Sequence, residues 1–176
     1  MATPSQTVKD IIGLSIVYFV SRLTFLTLYP IFNDEATYLR YAQVMVSYPL
    51  HRWYSLAHTG KQPLLYWLYG LMMKVVSDPL LAGRLVTVIF GASTVVAVYQ
   101  LGKLLDSRRT ALVAGILVIF SPLFIFFDRL ALVDSTLAVL FSWILVFLVR
   151  FGNRQTTKES FFIGLLVGIS FWIKST

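Results

Sequence analysis

The chain has 176 residues, 57% of them hydrophobic and 13% charged, with a net charge of +7 and a mean hydropathy of +0.77. A soluble domain carries about 25% charged residues, so these polar groups cannot coat a water-facing surface and lipid is the expected solvent; disorder, collagen-like repeats and coiled coils are excluded by the same numbers. The lack of cysteine removes disulfides, thiolate zinc sites and thiol nucleophiles. His51 and His58 are too few for a His-rich metal site, and basic residues scattered between apolar runs argue against a nucleic-acid partner.

A spanning helix needs about 20 largely apolar residues. Residues 11–31 are the first predicted span, interrupted by Arg22. Lys9 precedes this run as in a signal peptide, but no A-x-A-like cleavage site follows, so it reads as a retained anchor. Residues 35–47 place Tyr38, Tyr41, Ala42 and Met45 at helical spacing, with Arg40 and Gln43 off that face. They predict an interfacial amphipathic helix with Asn33 or Asp34 as its N-cap. Residues 63–76 form a second apolar helix, too short to span, with Pro63 in its first turn and Tyr66, Trp67 and Tyr69 suited to the headgroup boundary. Further spans are predicted over residues 80–101, 110–127 and 130–149, and an unfinished one over 161–173. That last run makes about 20 Å of helix, short of a hydrocarbon core of about 30 Å, so the chain is expected to be truncated at its C-terminus. The expected fold is therefore all-α and polytopic, with about five transmembrane helices and two interfacial helices in a first external loop, residues 32–79.

Orientation follows from the short loops. Residues 103–109 and 150–158 each carry three basic side chains and are expected on the cytoplasmic side, with the N-terminus. Five of the eight acids, Asp34, Glu35, Asp78, Asp128 and Asp134, then fall on the opposite face. Charges near or inside a membrane face a cavity or one another, so a mixed-sign cluster there is a candidate polar site. Each member also has a bland reading. Asp34 can be a helix N-cap and Glu35 a first-turn charge; Asp78 reads as a turn residue, Asp128 as solvating a tight turn, and Arg22 as the structural partner of another helix. Arg40, Arg52 and Lys74 read as snorkelling side chains. Asp134 stands out because an apolar run gains nothing from a carboxylate.

The run Phe32-Asn33-Asp34-Glu35-Ala36-Thr37-Tyr38 resembles the Asp-Glu motif that opens the first external loop of GT-C glycosyltransferases. The nearest likeness is to family 39, the group of protein O-mannosyltransferases and the aminoarabinose transferase of lipid A. Residues 60–67 are similar to its Lys-Pro-Pro-Leu-x-Tyr-Trp stretch, with Gln62 in place of the first proline. Ala82-Gly83-Arg84-Leu85 resembles its Ala-x-Arg-Leu helix start, and Arg129 with Asp134 its Arg-x-x-x-x-Asp turn. Lys174 matches the lysine of a terminal Thr-Lys, with Ile173 departing from the threonine. In order and spacing these segments cover essentially the whole chain, which matches the N-terminal part of a longer family member; residues 1–176 then form part of one transmembrane glycosyltransferase domain.

What the resemblance implies is transfer of a sugar from a polyprenyl-phosphate donor to a lipid, glycan or protein acceptor on the outer or lumenal face. Asp34 is its implied catalytic carboxylate and Glu35 the motif partner, with Lys61 and Asp134 at the donor phosphate and acceptor. Lys61, Arg84, Arg129 and Lys174 are the cations available to a departing phosphate. No cofactor is demanded; Asp34, Glu35 and Asp134 are the oxygen ligands open to a divalent metal, and metal use varies among GT-C enzymes. The expected location is a multi-pass protein of the plasma membrane in a prokaryote or the endoplasmic reticulum in a eukaryote, in contact with membrane lipids. Two rivals carry the same hydropathy. A secondary transporter would also bury charges between helices, although no broken-helix pair recurs in matching halves. A non-catalytic membrane subunit would not need Asp34, Lys61 and Asp134 on one side.

Overall fold

The computed structural model describes residues 4–48, 50 and 52–174, which leaves His51 outside the described residues. Among these residues the secondary structure is all helical: α1 (Pro4–Leu23), α2 (Asn33–Ser47), α3 (Tyr54–Thr59), α4 (Leu64–Met73), α5 (Pro79–Leu105), α6 (Arg108–Phe120), α7 (Pro122–Asp128), α8 (Val133–Arg154) and α9 (Thr157–Ile173). The long α5 is the axis. It packs against α8 and α4 on one side and against α1 and α6 on the other.

The expectation of about five transmembrane helices is corrected. Among the described residues only α5 and α8 are long and apolar enough to span, and a third span exists if α6 and α7 count as one, bent by 60°. The reasons are local. The predicted first span, residues 11–31, is helical only to Leu23, because Phe25 adopts a left-handed φ of 54°. The freed carbonyls of Leu26, Tyr29 and Pro30 are then claimed by Arg84. Only the apolar part of α1, about 20 Å at 1.5 Å per residue, is left for the bilayer. Residues 110–127 are broken at Ser121-Pro122: proline has no N–H and pushes its predecessor out of the helical region, and Ser121 is extended (φ −64°, ψ 124°). The helix α9 has 17 residues and opens on Lys158 and Glu159. The protein is membrane-associated, with fewer spans than its mean hydropathy suggests.

Among the described residues the segment between α1 and α5 holds three α-helices rather than two; α3 is the addition, and α4 stops at Met73. The amphipathic reading of α2 holds, since Tyr38, Tyr41, Ala42 and Met45 are all buried. They meet Leu65, Tyr66 and Tyr69 of α4 and the residues 130–133 that lead into α8. The N-cap, however, is Phe32, ahead of both predicted candidates, Asn33 and Asp34, and the Glu35 carboxylate accepts from the Phe32 N–H at 3.3 Å. Asp78 caps α5, accepting from the N–H groups of Leu80 and Leu81. A second core joins α1, α5 and α6 through Leu14, Tyr18, Val95, Tyr99 and Ile119.

Arg22 and Asp128 pair between α1 and α7 (Nε to Oδ2, 3.4 Å), both buried. Asp128 also accepts from the Ser135 hydroxyl at 2.7 Å, and Arg22 donates to the Ile119 carbonyl at 2.9 Å. Asp128 is therefore a helix-to-helix tie and not a turn-solvating group. Gly91 of α5 makes room for it: a Cβ there would lie 2.0 Å from the Tyr18 hydroxyl and 2.6 Å from the Asp128 carboxyl carbon. Neither neighbour yields freely, because the Tyr18 ring is buried under the Arg22 guanidinium. Gly91→Ala is expected to cost about 1–3 kcal/mol by overpacking. A thermal-unfolding midpoint unchanged from wild type would contradict this packing.

Candidate functional site

Helix α2 turns two adjacent carboxylates in different directions. Successive residues on a helix are rotated by about 100°, so Glu35 faces inward with Tyr38, Leu39 and Ala42 while Asp34 is exposed. Asp34 makes no hydrogen bond or ion pair with any described residue, and it does not cap the helix. Four residues on, one turn along the same helix, stands Tyr38. Burial raises its phenol above the usual range, and the charges of Asp34 and then Asp134 raise it further, with a smaller effect from Tyr41. Both carboxylates thus act on the same phenol.

The cation side is built by α3 and α4. Gly60 closes α3 in a left-handed conformation (φ 71°) that favours glycine, and the chain then reverses into Lys61. The Lys61 ammonium lies 4.6 Å from the centre of the Tyr38 ring, a cation–π contact. Lys61, Tyr38, Tyr66, Val133 and Lys174 line a cavity of about 60 Å³. Larger grooves exist, of about 590 Å³ beside Arg52 and Lys74 and about 470 Å³ between α8 and α9, and no carboxylate lines any of the three. By chemistry the small cavity is the candidate: two ammonium groups line it, and Asp34 stands one helical turn from the tyrosine in its wall.

Three predicted site residues, Glu35, Arg84 and Arg129, are engaged elsewhere. Glu35 is fully buried and ion-paired in bidentate fashion with Arg84, Oε1 to Nε and Oε2 to Nη2, each 2.8 Å. Its Oε1 also accepts the Ala131 N–H at 2.7 Å. Arg84 directs its three nitrogens in five hydrogen bonds, two to Glu35 and three to the carbonyls of Leu26, Tyr29 and Pro30. A guanidinium has five N–H donors, so none remains for a phosphate. Arg84 and Glu35 hold the loop before α2 against α5 and the turn before α8. Arg129 stacks on the Tyr29 ring at 5.1 Å and donates to the Thr24 carbonyl, while its buried Nε–H has no partner among the described residues. Asp134 opens α8, exposed, in its first turn. Lys174 follows α9, exposed, at the cavity edge.

Among the described residues no three Asp, Glu or His side chains converge on one point. Glu35, with both oxygens engaged, does not fit a metal-ligand role. Tyr38 is the site residue that sequence reasoning missed: it was placed on the apolar face of α2 for packing. The available signal was its spacing of four from Asp34.

The geometry defines a helical, membrane-associated protein with a small pocket lined by two lysines and two tyrosines. Residues 58–176 match the family model described as dolichyl-phosphate-mannose-protein mannosyltransferase. The chain belongs to that family, with a GT-C-like family 39 domain over those residues. The match takes in Lys61, Arg84, Arg129, Asp134 and Lys174, and begins after Asp34 and Glu35. No curated protein and no solved structure matches the chain.

Proposed function

We propose that the protein transfers a sugar from a polyprenyl-phosphate donor to an acceptor hydroxyl at the outer or lumenal membrane face, with Asp34 as general base. The reading assigns residues 1–176 to one transferase domain, with residues 32–79 on the external side. The observation that carries it is that Asp34, exposed and without a hydrogen-bonding partner among the described residues, stands one helical turn from Tyr38, the residue whose ring holds Lys61 at the cavity wall. Asp34 takes the proton of the acceptor hydroxyl as its oxygen attacks the sugar C1. The bond from C1 to the phosphate oxygen breaks, its electron pair leaves with the lipid phosphate, and configuration at C1 inverts. Charge grows on the phosphate in that step, where fixed cations act most strongly; Lys61 and Lys174 supply them. Asp134 faces the acceptor side. Arg84 and Glu35 serve as positioning residues, since neither has a free polar group to offer.

The test is turnover of a polyprenyl-phosphate sugar by the purified full-length protein. Lys61→Ala should lower transfer by about 10² or more, the usual cost of removing a charge-stabilising donor. Lys158→Ala, an exposed lysine at the start of α9, should leave it unchanged. Equal effects of the two substitutions would return Lys61 to an interfacial anchor.

A further inference from the structure

A second charged groove lies on the same helices and shares no lining residue with the Lys61 cavity. It measures about 590 Å³ and is bounded by Met45 of α2, Arg52, Trp53, and Trp67, Leu71 and Lys74 at α4. Arg52 and Lys74 are its charged residues, and neither side chain has a hydrogen bond or ion pair among the described residues. Two cations without a carboxylate nearby are uncompensated.

The aromatic wall beside them is built. The Trp67 indole N–H donates to the Arg52 carbonyl at 2.8 Å, which fixes the chain where Arg52 leaves it. The Trp53 ring meets Trp67 edge-on at 5.0 Å, and Trp172 of α9 stands 6.2 Å and 6.4 Å from the two. The surrounding surface is apolar and bare, with Leu50 96% and Val75 82% exposed. Indoles settle at the headgroup level of a bilayer, and basic side chains next to the surface attract anionic lipid.

We propose that this groove is a binding site for an anionic phospholipid, its phosphate held by Arg52 and Lys74 and the upper part of its acyl chains laid on Met45 and Leu71. Charge complementarity selects the occupant: a zwitterionic headgroup brings a cation that the groove repels, and an uncharged acyl chain leaves both cations unpaired. The site is independent of the transferase reading, because it serves the membrane environment and not the donor.

Two of the four tryptophans of residues 1–176, Trp53 and Trp67, line the groove and a third, Trp172, stands beside them, so indole fluorescence reports its occupancy. The full-length protein is reconstituted in phosphatidylcholine vesicles. A small share of the lipid is replaced by phosphatidylglycerol brominated near the top of its chains, or by equally brominated phosphatidylcholine. Brominated phosphatidylglycerol should quench more strongly, and the preference should shrink as salt screens the cations. Arg52→Gln with Lys74→Gln should abolish the preference, at about fivefold in relative affinity per cation, while Arg52→Lys with Lys74→Arg keeps it. Quenching by brominated phosphatidylcholine should be equal in all three proteins, which reports an intact tryptophan cluster. Equal quenching by both lipids in the wild type overturns the site, whatever the variants do. So does a preference that survives the double glutamine change or ignores salt. Loss of the preference on adding inorganic phosphate, at an ionic strength where sodium chloride leaves it intact, would assign the groove to a free anion and overturn the lipid.

Discussion

Asp34→Asn is expected to insert and fold as the wild type does, yet to lose sugar transfer by about 10² to 10⁴, the usual cost of removing a general base. The structure makes this substitution cleaner than the sequence could. A capping role would have muddied it, since Asn and Asp cap equally well. But Phe32 is the N-cap, and the Asp34 carboxylate bonds to nothing described. Asparagine keeps the shape and removes only the proton acceptor. The measurement is single-turnover transfer by the full-length variant at matched expression, alongside its thermal-unfolding midpoint. Near wild-type turnover with an unchanged midpoint would remove Asp34 from the chemistry.

The neighbouring position should behave in the opposite way. Glu35→Gln or Arg84→Gln is expected to destabilise the protein by about 3–5 kcal/mol, because each leaves a buried charge without its counter-charge. Both groups are fully buried. Replacing the pair together by apolar side chains, often a cheap change for an isolated ion pair, is not expected to rescue it. Arg84 also satisfies three carbonyls that left the helical ladder, and the Ala131 N–H depends on Glu35. Each buried polar group left unsatisfied costs about 1–3 kcal/mol more. Thermal unfolding in detergent, with accumulation in the membrane fraction, checks this. Wild-type stability combined with lost transfer would instead make Glu35 a reacting group.

Much of the local structure was legible because it depends on local physics. The period of α2 predicted its buried face, since side chains three and four apart share one side of a helix. The apolar runs behind α5 and α8 predicted their course, whereas residues 110–127 read as one span across Pro122, where the helix breaks. Hydropathy sums over a window and does not see where a helix stops. Leu23 ends α1 because a left-handed residue follows and Arg84, some 55 residues further along, takes the released carbonyls. Five expected spans became two or three for that kind of reason.

The sequence by itself determined that the chain is helical, lipid-compatible and built around a set of acids and bases whose order resembles one transferase family. Only the tertiary structure decided which of those charges are committed to one another. Asp34 and Glu35 are adjacent and chemically alike, yet one faces outward without a hydrogen-bonding partner and the other is locked to Arg84 and Ala131. Arg22 and Asp128 find each other across 106 residues. The reason is physical: what a carboxylate or a guanidinium can do is set by the donors, acceptors and solvent within a few ångströms of it. Those neighbours come from distant parts of the chain.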